Sequence, residues 1–205
     1  MLPIEIAQRL KFPGQIEKAF LKYLTRAKLP IDQSKTIASQ NLYHRKNVSG
    51  LNSVQFFTGN YNVNETNVPT GSFLRPASEH FVIYGIKIFV AENTAPITNV
   101  AQETFFGGIC ENLNLTSTEL QKFIQSQMSF LVNGVQVLKN MPLSESVANI
   151  TTDEQGVILL NEPVIWAGQT EAQITINAKP GILWGDIDEE LFVALGIELI
   201  GIGLI

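Results

Sequence analysis

Residues 80–91, with the sequence HFVIYGIKIFVA, constrain the fold more than any other stretch. The even-numbered positions from Val82 to Val90 are all apolar, whereas the positions between them are mixed. A period of two with one fully apolar face predicts a β-strand that lies on a core. β-Branched and aromatic residues, which suit a pleated buried surface, dominate the stretch. Its twelve residues are about twice the usual strand length, so we expect it to cross the whole width of a sheet.

A tight hairpin is predicted further along the chain. Asn133-Gly134 separates two β-rich segments, and this pair favours a type I′ turn because both of its residues need positive φ. A two-residue loop then places Val132 opposite Val135 and Phe130 opposite Val137. These four side chains share one face, so the turn and the apolar pattern predict the same register.

Several other segments have the residue pattern of β-strands. Residues 59–72 are instead predicted to form an exposed loop. The residues at 171–178 alternate between apolar and polar, and the odd positions from Val193 to Leu199 are apolar. The stretch 97–106 is predicted to be a strand or an extended crossing. The remaining predicted strands are 36–46, 53–58, 157–160, 164–166 and 192–204.

The N-terminal part is predicted to be helical and basic. A helix is expected at 3–11, and a second at 15–28 has apolar residues at helical spacing from Ile16 to Ala27. Up to Lys46 the chain has nine basic and three acidic residues, a net charge of +6, whereas the remainder has five basic and sixteen acidic residues, a net charge of −11. A basic arm of this kind favours contact with nucleic acid or an anionic membrane. The alternative is a basic helix that packs its stripe on its own acidic domain. The candidate contact residues are Arg9, Lys11, Lys18, Lys22, Arg26 and Lys28.

These patterns together predict an all-β sandwich or barrel with a helical N-terminal arm. No βαβ alternation occurs, and the irregular strand spacing with long loops favours a jelly roll over a meander. One short helix is predicted in a long crossing, where Thr116 and Glu119 form a capping box. We expect a basic amphipathic arm at 1–34 and a single β jelly-roll domain at 35–205.

The sequence has few residues arranged for catalysis. It contains two histidines and one cysteine, with neither zinc-ligand spacing nor a nucleophile-elbow or phosphate-loop motif. We therefore expect no enzymatic activity, no catalytic residues and no cofactor, although carboxylates that meet only in space could still act on glycosides. Trp166 and Trp184 are interpreted as core or interface residues. A weak candidate for a cation site is the acidic loop, for which a solvated surface is the alternative; its residues are Asp186, Asp188, Glu189 and Glu190.

The order of features from Thr116 to Ile205 resembles a known class of viral protein. A capped helix precedes the segment MSFLVNG at 128–134, and the following segment ends in Met141-Pro142-Leu143. A strand that contains Pro163-Val164-Ile165 comes next and leads through Gly168 to an alternating strand. An apolar strand ends the series. This order is similar to that of jelly-roll capsid proteins of small tailless icosahedral bacteriophages, including membrane-containing ones. The resemblance covers less than half of the chain. Since 205 residues are few for two barrels, a single roll is expected.

The resemblance implies a self-assembling virion structural protein, either a major shell subunit or a vertex subunit. Its expected partners are copies of itself in trimers or pentamers, other virion proteins, and the viral genome or an internal lipid membrane through the basic arm. Its expected location is the virion. The low charged fraction of 16% is consistent with much surface buried between subunits. Two alternatives remain: a receptor- or carbohydrate-binding β-sandwich from a spike or fibre, and an enzyme on a β scaffold.

Overall fold

The computed structural model describes residues 13–29, 34, 36–59, 64–68, 73–103, 118–144, 157–186, 188 and 190–204. This part of the chain is mostly β, which confirms the predicted all-β class. Two α-helices accompany the strands there, and we label them α1 (Pro13–Arg26) and α2 (Thr118–Ile124). The strands are β1 (Ile37–Asn47), β2 (Ser53–Phe56), β3 (Phe81–Asn93), β4 (Gln127–Val132), β5 (Val135–Pro142), β6 (Val157–Trp166), β7 (Ala172–Asn177) and β8 (Phe192–Leu204).

The strands form two antiparallel sheets of four strands each. The first sheet has the order β1-β8-β3-β6, and the second sheet has the order β2-β7-β4-β5. The inward faces of the two sheets share one apolar core. Trp166 and Trp184 are both fully buried, as the sequence interpretation required, and the Trp184 ring stacks on Phe123 of α2 with 5.3 Å between the ring centroids.

Strand β3 differs from the prediction because its two halves turn opposite faces to the core. Its register with both neighbouring strands shifts just after Ile83. Phe81 and Ile83 lie in the core before the shift, and the even positions from Ile86 to Val90 lie there after it. Val82 and Tyr84 instead belong to a second apolar cluster. The prediction of one face throughout was wrong because a β-bulge exchanges the two faces of a strand.

Strand β8 has glycines, Gly201 and Gly203, next to the part of β3 that precedes the register shift. The Phe81 ring occupies the space beside Gly201, where a Cβ atom would lie against the Val82 carbonyl oxygen and 2.5 Å from Phe81 Cζ. A Cβ at Gly203 would lie 3.0 Å from the same ring and 2.9 Å from the flexible Gln40 side chain. The aromatic ring of β3 therefore packs directly on the β8 backbone.

The predicted hairpin forms, although its register is only partly as expected. Asn133 and Gly134 have φ values of 55° and 74°, and Val132 pairs with Val135. Phe130, however, pairs with Leu138 rather than Val137, because the register shifts between Leu131 and Phe130; a second shift follows between Phe130 and Met128. Turn chemistry fixed the tip of the hairpin but not the bulges that follow it.

Three further predictions are refined by the structure. For 97–106, predicted to be a strand or an extended crossing, the strand alternative was wrong as far as residue 103, since Val100–Gln102 form a 3₁₀ turn capped by the Asn99 side chain. The two predicted strands at 157–160 and 164–166 are one strand, β6, whose pairing with β3 is interrupted between Leu159 and Val164. The predicted helix at 3–11, the Thr116 cap and the single cysteine lie outside the described residues.

Candidate functional surface

Helix α1 packs its apolar stripe on the outer face of the first sheet. Phe20 and Leu24 are fully buried, and they contact a cluster that includes Val82, Tyr84 and Ile202. This is the face that the β3 bulge supplies, since Val82 and Tyr84 are directed away from the main core. Of the stripe predicted from the sequence, Phe20, Leu24 and the partly buried Tyr23 are thus covered by the protein's own sheet.

The end of α1 is closed by backbone hydrogen bonds. The Leu29 N–H donates to the Leu24 carbonyl at 3.1 Å, and the Lys28 N–H donates to the Thr25 carbonyl at 3.1 Å. Lys28 has a φ of 56°, which gives the left-handed residue of a Schellman motif. The helix therefore ends at Arg26, two residues earlier than the sequence predicts, and Leu29 returns to the apolar cluster.

The exposed side of α1 forms what we call the basic surface: Lys18, Lys22, Arg26 and Lys28. All four side chains are exposed. The first three follow one another at four-residue steps, each about 6 Å along the helix axis. They lie opposite the buried stripe, so they remain accessible to an anionic partner while the helix stays docked. The candidates Arg9 and Lys11 lie outside the described residues.

The acidic loop does not bring its described carboxylates together as a cation site. Asp186 and Leu191 form an isolated bridge through two backbone hydrogen bonds of 2.9 and 2.8 Å, and the Asp188 N–H donates to Asp186 Oδ1 at 3.2 Å. Glu190 is exposed, and Glu189 is not among the described residues. No group of three potential metal-ligating side chains is found in the described ranges.

His44 occupies an aromatic enclosure beside the edge of the first sheet. Its side chain is fully buried against Phe56, Phe57 and Phe73, with the nearest ring centroid 4.7 Å away. Nδ1 accepts the Phe57 N–H at 2.9 Å, which places the imidazole proton on Nε2, and Nε2 lies 3.7 Å from Glu65 Oε2.

Burial of His44, with a smaller contribution from Lys46, lowers the pKa of His44 to about 3. Burial also lowers the pKa of Lys46, while the Glu65 carboxylate acts in the opposite direction on that lysine. The imidazole is therefore neutral at physiological pH, and its role here is to accept a backbone hydrogen bond.

A second buried polar cluster joins the segment before β3 to the turn after β6. Arg75 is 3% exposed, and its Nη2 lies 3.8 Å from Glu79 Oε2. Its guanidinium carbon Cζ lies 5.6 Å from the centroid of the Phe81 ring and 5.8 Å from that of the Trp166 ring. Burial lowers the pKa of Arg75, and Glu79 opposes that effect. The Gly168 N–H donates to Nδ1 of the adjacent buried His80 at 3.0 Å. These contacts fix the loop connection at this end of the sandwich.

The outer face of the second sheet carries polar, uncharged side chains on β2, β4 and β7, whereas the edge strand β5 adds the exposed Lys139. Side chains on that face form hydrogen bonds with one another. Ser53 Oγ donates to Asn177 Oδ1 at 2.7 Å, and Gln173 Nε2 donates to Thr175 Oγ1 at 3.1 Å. The same face presents Gln55, Gln127 and Ser129. The part of this face that β2, β7 and β4 form could therefore be covered without desolvating an ion.

Sequence reasoning missed the covering of β1 by residues 64–68, which were predicted to lie in an exposed loop. Thr66 and Val68 are only 6% and 4% exposed. The available signal was short: polar Glu65 and Asn67 alternate with β-branched Thr66 and Val68. Asn- and Gly-rich surroundings hid it, because such composition usually marks a turn.

Comparison with known proteins leaves the family of this chain open. No model of a known protein family matches it, and a search of curated proteins finds no relative. Among the helices that the structure describes, none is both long enough and apolar enough to cross a bilayer.

Proposed function

We propose that the sandwich is a single jelly roll and that the protein is a self-assembling subunit of a viral capsid. The observation that carries the proposal is the nesting of the strand pairs. β1 pairs with β8, β2 with β7, β3 with β6 and β4 with β5, and every pair is antiparallel. Successive pairs alternate between the first and the second sheet. One ribbon folded at the Asn133-Gly134 turn and wrapped around a core has this winding, as a jelly roll requires.

Jelly rolls occur in viral shells, lectins and cupins, so the fold alone leaves the function open. The capsid role is favoured here by the surfaces on the two sides of the roll. The second sheet offers an outer face on β2, β7 and β4 whose described side chains are uncharged and which another subunit can cover, and the first sheet carries the basic surface of α1. A subunit with these two sides would contact its copies, in trimers or pentamers, and other virion proteins.

The basic surface is proposed to face the viral genome or an internal membrane. Its three regularly spaced cations, Lys18, Lys22 and Arg26, are directed away from the sheet. Because Phe20 and Leu24 are buried against that sheet, these two apolar side chains cannot insert into lipid while α1 is docked. Contact with either partner would therefore be electrostatic and sensitive to salt.

A carbohydrate- or receptor-binding module is the second candidate. The observation in its favour is the row of hydroxyl and amide side chains on the second sheet, exemplified by Ser53, Gln173 and Asn177. Against it, Trp166 and Trp184, which could stack on sugar rings, are fully buried. Binding to a glycan array by a stable monomer would favour this candidate over the capsid role.

The first test is the mass of the purified protein by light scattering, with negative-stain imaging. Closed particles, or trimers or pentamers that build them, are expected. A monomer that persists across protein and salt concentrations would overturn the capsid proposal.

The test of the basic surface is the triple variant K18Q/K22Q/R26Q, with K122Q/K139Q/K179Q as the control that removes equal charge elsewhere. For three phosphate contacts, affinity for single-stranded nucleic acid should fall about 20-fold between 50 and 200 mM salt. The triple variant should lose this dependence and the control should keep it. Parallel titrations with oligonucleotides and with anionic vesicles distinguish genome from membrane, and unchanged binding to both by the triple variant would refute the role.

A further inference from the structure

The outer edge of β1 is covered by the chain's own residues 64–68. On its other side β1 pairs with β8 along all eleven residues without a register shift. At the covered edge, the Arg45 N–H donates to the Glu65 carbonyl at 2.7 Å, and His44 and Thr66 form an isolated bridge. The segment therefore takes the place of a neighbouring strand over only a few residues.

Side chains rather than a backbone ladder make much of this cover. Asn67 accepts the Tyr43 N–H through Oδ1 at 2.7 Å and donates from Nδ2 to the Asn41 carbonyl at 2.7 Å. The Thr66 hydroxyl donates to the Tyr43 carbonyl. Since these bonds use the strand-pairing groups of Asn41 and Tyr43, another strand could replace them group for group.

We propose that this edge is a pairing surface for β1 of a second copy of the chain, in an antiparallel arrangement centred on Tyr43, with residues 64–68 displaced. The proposal rests on the self-association that the capsid function requires. It adds the surface and the register through which two copies meet.

The backbone of β1 favours a two-fold partner of this kind. Tyr43 directs both its N–H and its C=O to the covered edge, so Tyr43 can exchange two hydrogen bonds with its own symmetry mate. The same register brings the Asn41 carbonyl opposite the Arg45 N–H of the other copy. Side chains opposite each other are then Tyr43 with Tyr43 and Asn41 with Arg45, so no two like charges meet.

The other described sheet edges are less suited to pairing. β2 has only four residues, and the ladder from β5 to β4 contains two register shifts. β6 contains Pro163, which has no N–H, within the interrupted part of its pairing with β3. Shortness, bulges and proline are the features that protect edges from association. β1 has none of them, and residues 64–68 provide its protection instead.

Disulfide trapping in a Cys110→Ser background tests the pairing. Hydrogen-bonded antiparallel partners lie about 5.5 Å apart at Cα, a separation that a disulfide can span. Tyr43→Cys should therefore cross-link two copies on mild oxidation. Ser39→Cys is the matched control on the same strand: Ser39 is exposed, lies opposite Asn47 of the other copy in this register, and should not cross-link to its own counterpart.

Opening the cover should increase the cross-link. Asn67→Ala removes two hydrogen bonds to β1, each worth about five-fold in the opening equilibrium, so trapping through the thiol introduced at position 43 should rise by about 25-fold. Asn67→Asp keeps the acceptor for the N–H of residue 43 and should give a smaller rise in trapping. This variant replaces Asn67→Ala in the test if circular dichroism shows that the alanine variant is misfolded.

Equal trapping at positions 43 and 39, or no rise in either Asn67 variant, would overturn the proposal. Particles that form without cross-links at position 43 would refute this interface and leave the capsid function standing. Cross-linked dimers that never assemble further would support the interface and refute the capsid function.

Discussion

Acidification should destabilise the fold through His44. In the folded protein the Phe57 N–H already occupies Nδ1, the atom that a second proton would need, and the aromatic enclosure excludes water. Protonation must therefore break a backbone hydrogen bond and place a charge among apolar rings. In the unfolded chain the same imidazole is solvated and binds its proton freely.

The size and sign of the effect follow from the two pKa values. The pKa of His44 falls from an ordinary 6.5 to about 3 on folding. Because the unfolded state binds the proton more tightly, this contribution to stability is fully present above pH 6.5 and is lost as the pH falls towards 3. Integrating proton binding from pH 7.5 to pH 5 gives a loss of about 2 kcal/mol in the free energy of unfolding. That is a large share of the stability of a typical domain.

Urea denaturation at pH 7.5 and pH 5 measures this loss, with His44→Asn as the comparison. Asn can accept the Phe57 N–H without titrating, so the variant should lose about 2 kcal/mol less than the parent over the same pH interval. The comparison cancels other groups that titrate in both proteins. Equal pH dependence in parent and variant would refute the assignment of the acid sensitivity to His44, as would an NMR titration of the parent that places the pKa of His44 near 6.5.

Three smaller predictions concern backbone and buried charge, each measured as the change in the free energy of unfolding. Lys28→Gly should stabilise the protein by up to about 1 kcal/mol by relieving the left-handed conformation, and destabilisation would contradict the Schellman cap. Gly201→Ala should cost about 3 kcal/mol because it meets backbone and ring, and Gly203→Ala should cost less because a flexible side chain can move; the reverse order would contradict the packing. Glu79→Gln, which leaves the buried Arg75 uncompensated, should cost about 3 kcal/mol and more than Arg75→Met, and a cheaper Glu79→Gln would show that the pair is not coupled.

Local patterns predicted the elements of this fold better than their pairing. The Asn133-Gly134 turn and the stripe containing Phe20 and Leu24 are encoded within a few residues, so the sequence revealed both. The bulge after Ile83 is different, because all four residues from Phe81 to Tyr84 are apolar, so alternation cannot tell which face of β3 meets the core there. Only the arrival of α1 on the outer face explains why Val82 and Tyr84 are apolar.

The basic surface of α1 could be predicted from local sequence patterns, as the elements of the fold could. Lys18, Lys22 and Arg26 follow from helical spacing alone, and the structure adds only that they stay exposed while the stripe is docked. The covered edge of β1 was not predictable, since Asn67 bonds to β1 across more than twenty residues of sequence. The short alternation at 65–68 does not show which strand these residues cover.

The nested pairing of the strands also dictates when the fold can form. Only β4 and β5 are joined by a two-residue turn, and each outer pair must close a longer loop than the pair inside it, with β1 and β8 the farthest apart in sequence. Closing such loops costs entropy before any contact repays it, so folding should start at the hairpin and be slow to finish. During synthesis β1 leaves the ribosome long before β8, its sheet partner, exists. Throughout that interval the edge of β1 that residues 64–68 cover depends on this segment, which emerges soon after it, for protection against premature association.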